Sequence, residues 1–460
     1  MKKILLITLL FSSITINAQC YETLKFGGSH TLGIKQDGIL WGWGRGAEGE
    51  LGTANWTEPN PIQVSTITSI QNFYPGEFNT FVIKNDGTLW GVGSNIYGSL
   101  GVDSTAESFT TFQQITTANN WIKVSPSAFF TLALKIDGTI WAWGQDDTNQ
   151  TGNPPSNGTQ NTPIQVGSAS DWIDIASGTS STAFALKADG TLWGWGFNGA
   201  SILVPSSSVV SVGTPIQVNG VTGFVKMSVG GNHILAQKAD GTLWAWGGGL
   251  GRGVGDSAPP QGNIPYPVGT DTWSYFSTGT GTSFGVKTDG TLWAWGVNTN
   301  GQLGLGTTAN HSVPVQIGTD TNWETVQARK YTTTMATKTD GTVWYWGTNY
   351  FGEFGNGQDY LEVYFTTPQL SPNVCVTSLS TPVFEQKALR MYPNPVQNQL
   401  FINTEETHQY QIYSVLGTKI SEGTLAVGSG IDCSGLTSGV YLLSLTDGLG
   451  NVSTVKFVKQ

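Results

Sequence analysis

The chain has 460 residues, of which 61 are glycine and 18 are tryptophan; 11% are charged, and the formal net charge is −10. Sparse charge with abundant glycine and aromatic residues is typical of a turn-rich β protein and argues against a helical enzyme or a disordered chain. The net negative charge, without a cluster of lysine and arginine, argues against binding along the phosphate backbone of a nucleic acid.

Residues 1–19 are predicted to be a secretory signal peptide. Lys2 and Lys3 precede an apolar stretch that ends at Ile16, and cleavage is expected after Ala18 or Gln19. The alternative is a lipoprotein acylated at Cys20, but Gln19 is a poor fit where a small residue normally precedes such a cysteine. No later apolar run is long enough to cross a bilayer, so no transmembrane segment is predicted.

Asp-Gly steps divide the following residues into seven repeats. In each repeat, strand-like segments surround a glycine-rich turn and the Asp-Gly step, which is a strong hairpin signal, and most repeats close with a Pro-x-Gln-apolar segment such as 314–317. Four strands in each of seven repeats predict an all-β fold, a seven-bladed β-propeller over residues 20–375. The steps lie 49 to 52 residues apart, at Asp37, Asp86, Asp137, Asp189, Asp240, Asp289 and Asp340.

Most repeats contain a Trp-x-Trp pair after the Asp-Gly step. Trp293 and Trp295 lie two residues apart and therefore share one face of a strand, while the small Ala294 lies on the other face. A carbohydrate-stacking platform is the alternative, but the fixed place of the tryptophans in each repeat favours packing between blades. Two repeats depart from the pattern, with Val92 in place of the second tryptophan and Tyr345 in place of the small residue.

No residue set in the repeats predicts an active site, so we expect a non-enzyme without cofactor or metal. Gly281–Gly285 matches G-x-S-x-G, but that motif needs a strand-turn-helix context and a reachable histidine, whereas here it lies in the first hairpin of a repeat. His30 and His233 hold the same place in their repeats, which favours structural hydrogen bonds over metal ligation. Asp146 and Asp147 are expected to be solvated loop carboxylates, since calcium-loop spacing is missing.

A binding surface is predicted on the face that carries the first-to-second and third-to-fourth connections of each blade. The Asp-Gly face is nearly constant between repeats and is interpreted as scaffold. The other face varies, and it is rich in the aromatic and arginine residues that dominate protein interfaces, although some of these side chains are expected to fill loop interiors. The predicted binding residues are Phe78, Phe129, Phe130, His233, Arg329, Lys330, Tyr331, Arg45, Tyr97 and Tyr350, and the outer loops also carry Trp56, Arg252, Tyr266 and Phe351.

The repeated phrase G-x-x-H-x-x-x-L-K-x-D-G-x-L-W-x-W-G, nearly whole at Gly27–Gly44 and Gly230–Gly247, resembles the regulator of chromosome condensation repeat. The resemblance covers residues 21 to about 370 and implies a seven-bladed propeller used for protein contacts. The nucleotide exchange known from that family is not expected here, because a signal peptide separates this chain from a small GTPase. A secreted member that inhibits β-lactamases makes enzyme inhibition an alternative.

The end of the chain resembles the type A C-terminal sorting domain of the type IX secretion system of Bacteroidetes. The similarity includes Met391–Pro395, Tyr410–Gly417, Leu436–Tyr441 and Lys456–Lys459, and it follows a linker at 376–390. Alternating apolar residues bounded by glycine and asparagine independently favour a small β-sandwich at 391–460. The resemblance implies contact with the type IX machinery, passage across the outer membrane, removal of the domain, and attachment to the surface or release.

These features predict a secreted or surface-attached propeller that contacts proteins in the manner of an adhesin, its partner unidentified. The alternatives are an enzyme inhibitor, and a carbohydrate-binding or carbohydrate-active protein that contacts a surface glycan. A disulfide between Cys20 and Cys375 is also predicted. Cys433 lies in the segment expected to be removed, and the ends of a propeller chain meet where the first and last blades adjoin.

Overall fold

A computed structural model describes residues 19–64, 67–154, 158–205, 208–218, 222–253, 262–328, 332–377, 391–392, 396–402, 407–414, 419–427, 429–446 and 452–459. The predicted signal peptide up to Ala18 and most of the linker therefore lie outside the described residues. The chain divides into two compact units, Met1–Leu379 and Ser380–Gln460. Within the described part of both units, we find no helix with the length and apolar character needed to span a membrane.

The described residues of the first unit form seven β-sheet blades, which confirms the predicted propeller. The chain enters at β1, Gln19–Tyr21. The next four blades are made of Thr23–Phe26, His30–Ile34, Leu40–Arg45 and Thr57–Gln63 (β2–β5); Ile70–Pro75, Asn79–Lys84, Leu89–Ser94 and Ser108–Gln114 (β6–β9); Trp121–Pro126, Phe130–Lys135, Ile140–Asp146 and Gly158–Gln165 (β10–β13); and Trp172–Ser177, Thr182–Lys187, Leu192–Phe197 and Ser211–Gln217 (β14–β17).

Blades 5 and 6 share a strand, because the 13-residue β21 ends one blade and begins the next. Short 3₁₀ helices at Ile96–Gly98, Gly199–Ser201 and Leu250–Arg252 lie in third-to-fourth loops. The strands of blades 5 to 7 are Phe224–Val229, His233–Lys238, Thr242–Gly247 and Tyr266–Thr278 (β18–β21); Thr282–Lys287, Leu292–Gly296 and His311–Gln316 (β22–β24); and Trp323–Ala328, Thr333–Lys338, Thr342–Asn349 and Tyr360–Val376 (β25–β28).

The first strand of each blade lies innermost in the ring, and the inner strands are joined by polar side chains. Lys123 Nζ contacts Asp174 Oδ1 at 2.6 Å between blades 3 and 4, and the hydroxyls of Ser228 and Thr278 lie 2.8 Å apart between blades 5 and 6. Hydrogen bonds between side chains remove the desolvation cost of polar groups on these packed strands. The inner ring is therefore held by specific polar pairs as well as by apolar packing.

The Asp-Gly turns form one repeated hydrogen-bond network. In blade 4, Thr191 Oγ1 donates to Asp189 Oδ1 at 2.6 Å and accepts the indole N–H of Trp193 at 3.0 Å. The lysine of the repeat lies over the same indole ring, with Lys187 Nζ 4.7 Å from the ring centroid. Near-identical turns account for the constancy of this face, since the aspartate, the threonine, the lysine and the first tryptophan contact one another within the turn.

The second tryptophan of the pair joins a blade to the one before it. Trp295 is buried, and its indole N–H donates to the carbonyl oxygen of Gly251 at 2.8 Å. Gly253 packs directly on that indole, where an added Cβ would lie 2.3 Å from Trp295 Nε1, and its φ of +70° also favours glycine. A glycine within the third-to-fourth loop thus allows the next blade to approach closely. The same contact with an indole ring is made by Gly101, Gly152, Gly304 and Gly355.

Tyr345 departs from the small residue of other blades because its surroundings differ. The outer strands of the other six blades place a buried valine or isoleucine next to the small residue, as Ile317 does beside Ala294, whereas the same register in blade 7 places Ser371 there. Tyr345 stacks on Phe354, with 5.2 Å between ring centroids. A large residue on the central strand therefore accompanies a small residue on the outer strand.

Blades 7 and 1 are joined by the predicted disulfide, which links Cys20 to Cys375. The sequence did not indicate a second feature of this seam: β1 pairs with the end of β28 in parallel, with Cys20 opposite Cys375. Gln327 of blade 7 also bonds across the seam, donating to the Leu24 carbonyl oxygen and accepting from the Phe26 N–H. Each blade is otherwise one continuous chain segment, so these contacts close the ring.

The second unit contains two antiparallel sheets around one apolar core, which is the predicted β-sandwich. Leu400, Ile412, Leu443 and Phe457 are fully buried in this core, together with the free thiol of Cys433. The strands are Met391–Tyr392, Gln399–Ile402 and Gly430–Asp432 (β29, β30, β33) in one sheet, and His408–Ser414, Lys419–Leu425, Gly439–Thr446 and Val452–Lys459 (β31, β32, β34, β35) in the other.

Candidate functional site

The third-to-fourth loops of blades 2, 4, 6 and 7 are held in shape by an asparagine at the start of the loop. Asn298 Oδ1 accepts the N–H of Leu303 at 2.9 Å, and its Nδ2 donates to the carbonyl oxygens of Thr307 and Ala309. Asn95 makes equivalent bonds in blade 2. A side chain that satisfies both ends of a loop fixes its backbone, so residues on these loops are presented by rigid supports.

Arg45, the last residue of β4, lies at the centre of an aromatic group on this face. Its guanidinium carbon is 4.9 Å from the ring centroid of Phe78, 5.9 Å from that of Trp56 and 6.0 Å from that of Phe351. These rings come from three blades, 7, 1 and 2. Arg45 is only 9% exposed, so the cation is largely covered by the rings around it.

Two carboxylates hold the guanidinium in place beneath the rings. Arg45 Nη1 donates to Glu50 Oε1 at 2.8 Å, and Nη2 donates to Glu48 Oε1 at 3.0 Å. Burial raises the pKa of the Glu50 carboxyl, and the adjacent guanidinium opposes that shift. The arginine is therefore engaged internally and orders the rings around it.

The aromatic group continues into blade 3. Phe78 and Phe129 lie 5.9 Å apart, and Tyr97 meets Phe129 edge-on with 5.5 Å between centroids. Trp56 is 67% exposed and Tyr97 is 47% exposed, while the other rings are half-buried. We call this surface the aromatic patch; its members are Trp56, Phe78, Tyr97, Phe129 and Phe351.

The backbone at Tyr97 is in the left-handed region, with φ of +56°, which is uncommon for a bulky residue. Ala200 occupies the equivalent place in blade 4 with φ of +54°. The loops of blades 2 and 4 thus share this backbone conformation, and the tyrosine ring is what distinguishes blade 2. Asp103 and Glu107 are exposed in the same loop, so the edge of the aromatic patch beside Tyr97 is acidic.

The predicted binding residues divide into three groups. Phe78, Phe129, Arg45 and Tyr97 are brought together in or beneath the aromatic patch, and Tyr350 is half-buried beside Phe351 in the chain. Arg329, Lys330 and Tyr331 lie outside the described residues. Phe130 and His233 are each 1% exposed, so their assignment to an accessible binding surface was wrong.

Burial of the last two residues has a common cause. Each is the first residue of the second strand of its blade, where the side chain points toward a neighbouring blade and away from solvent. Arg252, named as an outer-loop residue, is likewise 7% exposed. Asp146 is also buried, where it accepts the N–H of Thr151 at 2.9 Å, so the expectation of a solvated carboxylate was wrong for it.

The G-x-S-x-G segment does have a histidine within reach. His233 Nε2 lies 2.8 Å from Ser283 Oγ, but Ser283 donates its own proton to the carbonyl oxygen of Gly251 at 2.6 Å. Both side chains are buried, and burial lowers the pKa of His233 to about 4. His30 makes the same contact with Thr80 between blades 1 and 2. The pair therefore joins adjacent blades as part of the repeat.

Two families match the chain. Residues 390–460 match the secretion system C-terminal sorting domain, and residues 137–185 and 289–329 match the regulator of chromosome condensation (RCC1) repeat. Together with the fold, these matches define the class as an exported seven-bladed β-propeller. The chain carries RCC1 repeats followed by a type IX sorting domain, which directs it to the cell surface or the medium.

Relatives of known sequence share the repeats over part of their length. The human probable E3 ubiquitin-protein ligase HERC6 is 29% identical over 263 residues, which is 54% of this chain and 21% of that protein. Human E3 ubiquitin-protein ligase HERC2 is 26% identical over 232 residues, which is 48% of this chain and 5% of that protein. The chain thus matches about a fifth or less of the length of these ligases.

Solved structures support the propeller fold. Yeast RCC1 (Prp20), in its complex with Kap60, is 18% identical with a TM-score of 0.64, and the match covers 82% of this chain and 94% of that one. Human WBSCR16 is 19% identical with a TM-score of 0.59, covering 67% of this chain and 85% of that one. At these identities the likeness concerns the fold alone.

Proposed function

We propose that this protein is a surface-exposed or released binding propeller that contacts a protein partner through the aromatic patch, in the manner of an adhesin. The observation that carries the proposal is the exposure of Trp56 and Tyr97 at the two ends of a row of rings from four blades. Arg45 links this row between Phe351 and Phe78. Aromatic residues supply much of the energy of protein interfaces when a partner covers them. An exposed group of this kind on a soluble domain usually marks an interaction site.

The arrangement also suits rapid, specific contact. Arg45 and the asparagine-held loops fix the rings before a partner arrives, so little conformational entropy is lost on binding. We propose that the protein acts by such contact and not by turnover. The ligase activity named for HERC6 and HERC2 is not transferred to this chain, because the match covers so little of those proteins.

The proposal is tested with the exported protein and two variants immobilised in parallel. Trp56→Ala combined with Tyr97→Ala removes the two exposed rings, and Ile136→Ala removes a 70% exposed side chain beside an Asp-Gly turn on the opposite face. Proteins from the surface of neighbouring cells should be retained by the unchanged chain and by Ile136→Ala, and at least tenfold less by the double variant. Equal retention by all three proteins would refute the proposal.

A glycan array probed with the same three proteins distinguishes a carbohydrate partner from a protein partner. Exposed tryptophan and tyrosine rings also stack on sugar faces, so glycan binding that disappears in the double variant would replace the protein partner by a carbohydrate. Unchanged melting temperatures of the variants serve as the control for folding, since Trp56 and Tyr97 contribute little buried area.

A further inference from the structure

A cavity of about 170 Å³ lies in blade 7 beside the ring-closing seam. It exists because Ser371 stands where the outer strands of the other blades carry a larger aliphatic side chain. Those equivalents are Val64, Ile115, Val166, Val218, Val268 and Ile317, and each is buried. The hydroxymethyl group of serine fills less space than any of them, so the aliphatic group that closes the other blades is missing here.

Three aromatic rings form one wall of the cavity. Tyr345 and Phe354 are nearly parallel, with 24° between their planes and 5.2 Å between centroids, and Phe365 lies 5.2 Å from Phe354 at a tilt of 51°. Tyr345 and Phe354 are almost fully buried and pack with Trp43 and Tyr21 of blade 1. Their positions are therefore fixed by the seam, and the cavity has rigid walls.

Ser371 brings a buried hydroxyl to the wall of the cavity, which the polar Asn356 and Gln369 also line. Ser371 is 8% exposed, and among the described residues no group forms a hydrogen bond with its Oγ. A buried hydroxyl without a hydrogen bond is unfavourable, so the cavity favours an occupant that can bond to it. The side chains that line the cavity are uncharged, which favours a neutral occupant.

The size of the cavity limits the occupant to a single ring. An engineered cavity of about 150 Å³ in another protein holds benzene, and the volume here is similar. Leu370 lies at the mouth and is 51% exposed, so the cavity is reached from the outer rim of the blade. The aromatic wall adds favourable ring contacts to the gain from burial.

We propose that this seam cavity is a binding site for one phenol group, with the ring against Phe354 and Phe365 and the hydroxyl bonded to Ser371 Oγ. The phenol is supplied either by a small free molecule or by a tyrosine side chain of a partner segment at the rim. This site is independent of the aromatic patch, because Phe354 and Ser371 are not part of that surface.

The test uses ¹⁹F NMR of 4-fluorophenol and fluorobenzene with the full chain and two variants. Ser371→Val restores the aliphatic group of the other blades and fills the cavity, whereas Ser371→Ala keeps the volume and removes the hydroxyl. The unchanged chain should bind fluorophenol at least fivefold more tightly than fluorobenzene. Ser371→Ala should bind both equally, and Ser371→Val should bind neither. Thermal unfolding of each protein confirms that it is folded.

Competition then identifies the source of the phenol. If acetyl-Gly-Tyr-Gly-amide displaces fluorophenol and its phenylalanine counterpart does not, the natural occupant is a tyrosine side chain. If fluorophenol binds and neither peptide displaces it, the natural occupant is a small molecule. The proposal is overturned if the folded, unchanged chain binds neither ring, or if Ser371→Val binds fluorophenol as well as the unchanged chain does. A higher melting temperature of Ser371→Val with no binding to the unchanged chain would identify the cavity as a packing defect.

Discussion

The indole Nε1 of Trp43 donates a hydrogen bond to the backbone carbonyl oxygen of Glu353 at 2.9 Å, across the junction of blades 1 and 7. The same oxygen also accepts the hydroxyl of Thr31 at 3.2 Å. The Glu353 side chain turns back into its own loop, where Oε2 accepts the N–H of Phe351, a member of the aromatic patch. One residue therefore connects the closure of the ring to the proposed binding surface.

Replacement of Glu353 by glutamine should stabilise the propeller at high pH. Burial raises the pKa of Glu353 to about 8, against an ordinary value of 4.5, so the folded chain keeps a proton that the unfolded chain releases. The stability that the protonated Glu353 carboxyl contributes is fully present below pH 4.5 and is lost as the pH rises through 8. Glu353→Gln should therefore gain up to about 4 kcal/mol over the unchanged chain between pH 5 and 9, measured by urea unfolding.

The natural counterpart of this change is present in blade 6, where Gln302 Oε1 accepts the N–H of Asn300 at 2.8 Å. Gln302→Glu is the reciprocal control and should lose stability over the same pH range. A stability difference between Glu353→Gln and the unchanged chain that does not vary with pH would contradict a protonated Glu353.

Loss of the threonine hydroxyl in an Asp-Gly turn should destabilise its blade. Thr191→Val keeps the shape of the side chain but removes the acceptor of the Trp193 N–H and the donor to Asp189, so a cost of about 1–2 kcal/mol is expected in chemical denaturation. Blade 1 offers the reverse experiment. Ile39 stands at this place, and among the described residues no group accepts the Trp41 N–H.

Ile39→Thr should supply an acceptor for the Trp41 N–H and give blade 1 the hydrogen bond that the threonine makes in the other blades. A change in stability smaller than that of Thr191→Val is expected, because Ile39 also loses apolar contact. Unchanged stability of Thr191→Val would show that the threonine hydroxyl contributes nothing specific.

Removal of the seam disulfide should lower stability without abolishing the fold. Cys20 and Cys375 are 355 residues apart, and a loop of that length predicts a loss of about 3–5 kcal/mol when the link is removed. Cys20→Ser with Cys375→Ser, measured by thermal unfolding, tests this, with Cys433→Ala in the second unit as the control. An unchanged melting temperature of the propeller would mean that the parallel pairing and Gln327 suffice to close the ring.

Deletion of residues 391–460 should stop export while leaving the propeller folded. The sorting domain is a separate compact unit with its own core, and the propeller has core clusters of its own that do not include residues of that domain. The shortened chain should accumulate in the periplasm with a native disulfide, detected by cell fractionation and non-reducing electrophoresis. Normal amounts outside the cell would contradict the assignment of export to this segment.

Much of this architecture could be predicted from the repeat alone. The Asp-Gly interval defined the blades, and the two-residue spacing of Trp293 and Trp295 placed them on one strand face. The seam disulfide also followed from the sequence, because ring closure brings the two ends of the propeller together. Each of these inferences depends on local geometry or on a constraint that acts on the whole ring.

The binding residues were harder to predict because neighbouring positions in a strand point to opposite sides. Phe129 is half-buried in the aromatic patch, whereas Phe130, the next residue, begins β11 and is buried. A boundary error of one residue therefore exchanges surface for core. A useful signal was present in Phe78 and Phe129, which precede the second strands of adjacent blades and thus had to be neighbours. The cavity at Ser371 depended on the register of β28, which the irregular last repeat concealed.

The covalent link between Cys20 and Cys375 makes the seven blades a closed loop of chain as well as a closed ring of sheets. A protease that cuts one surface connection between strands would open the disulfide-closed chain into a single linear piece. Both new ends would stay covalently joined to the remaining blades. A protein displayed outside the cell would then keep its binding face after such a cut. Nicked molecules would separate into two fragments only after reduction.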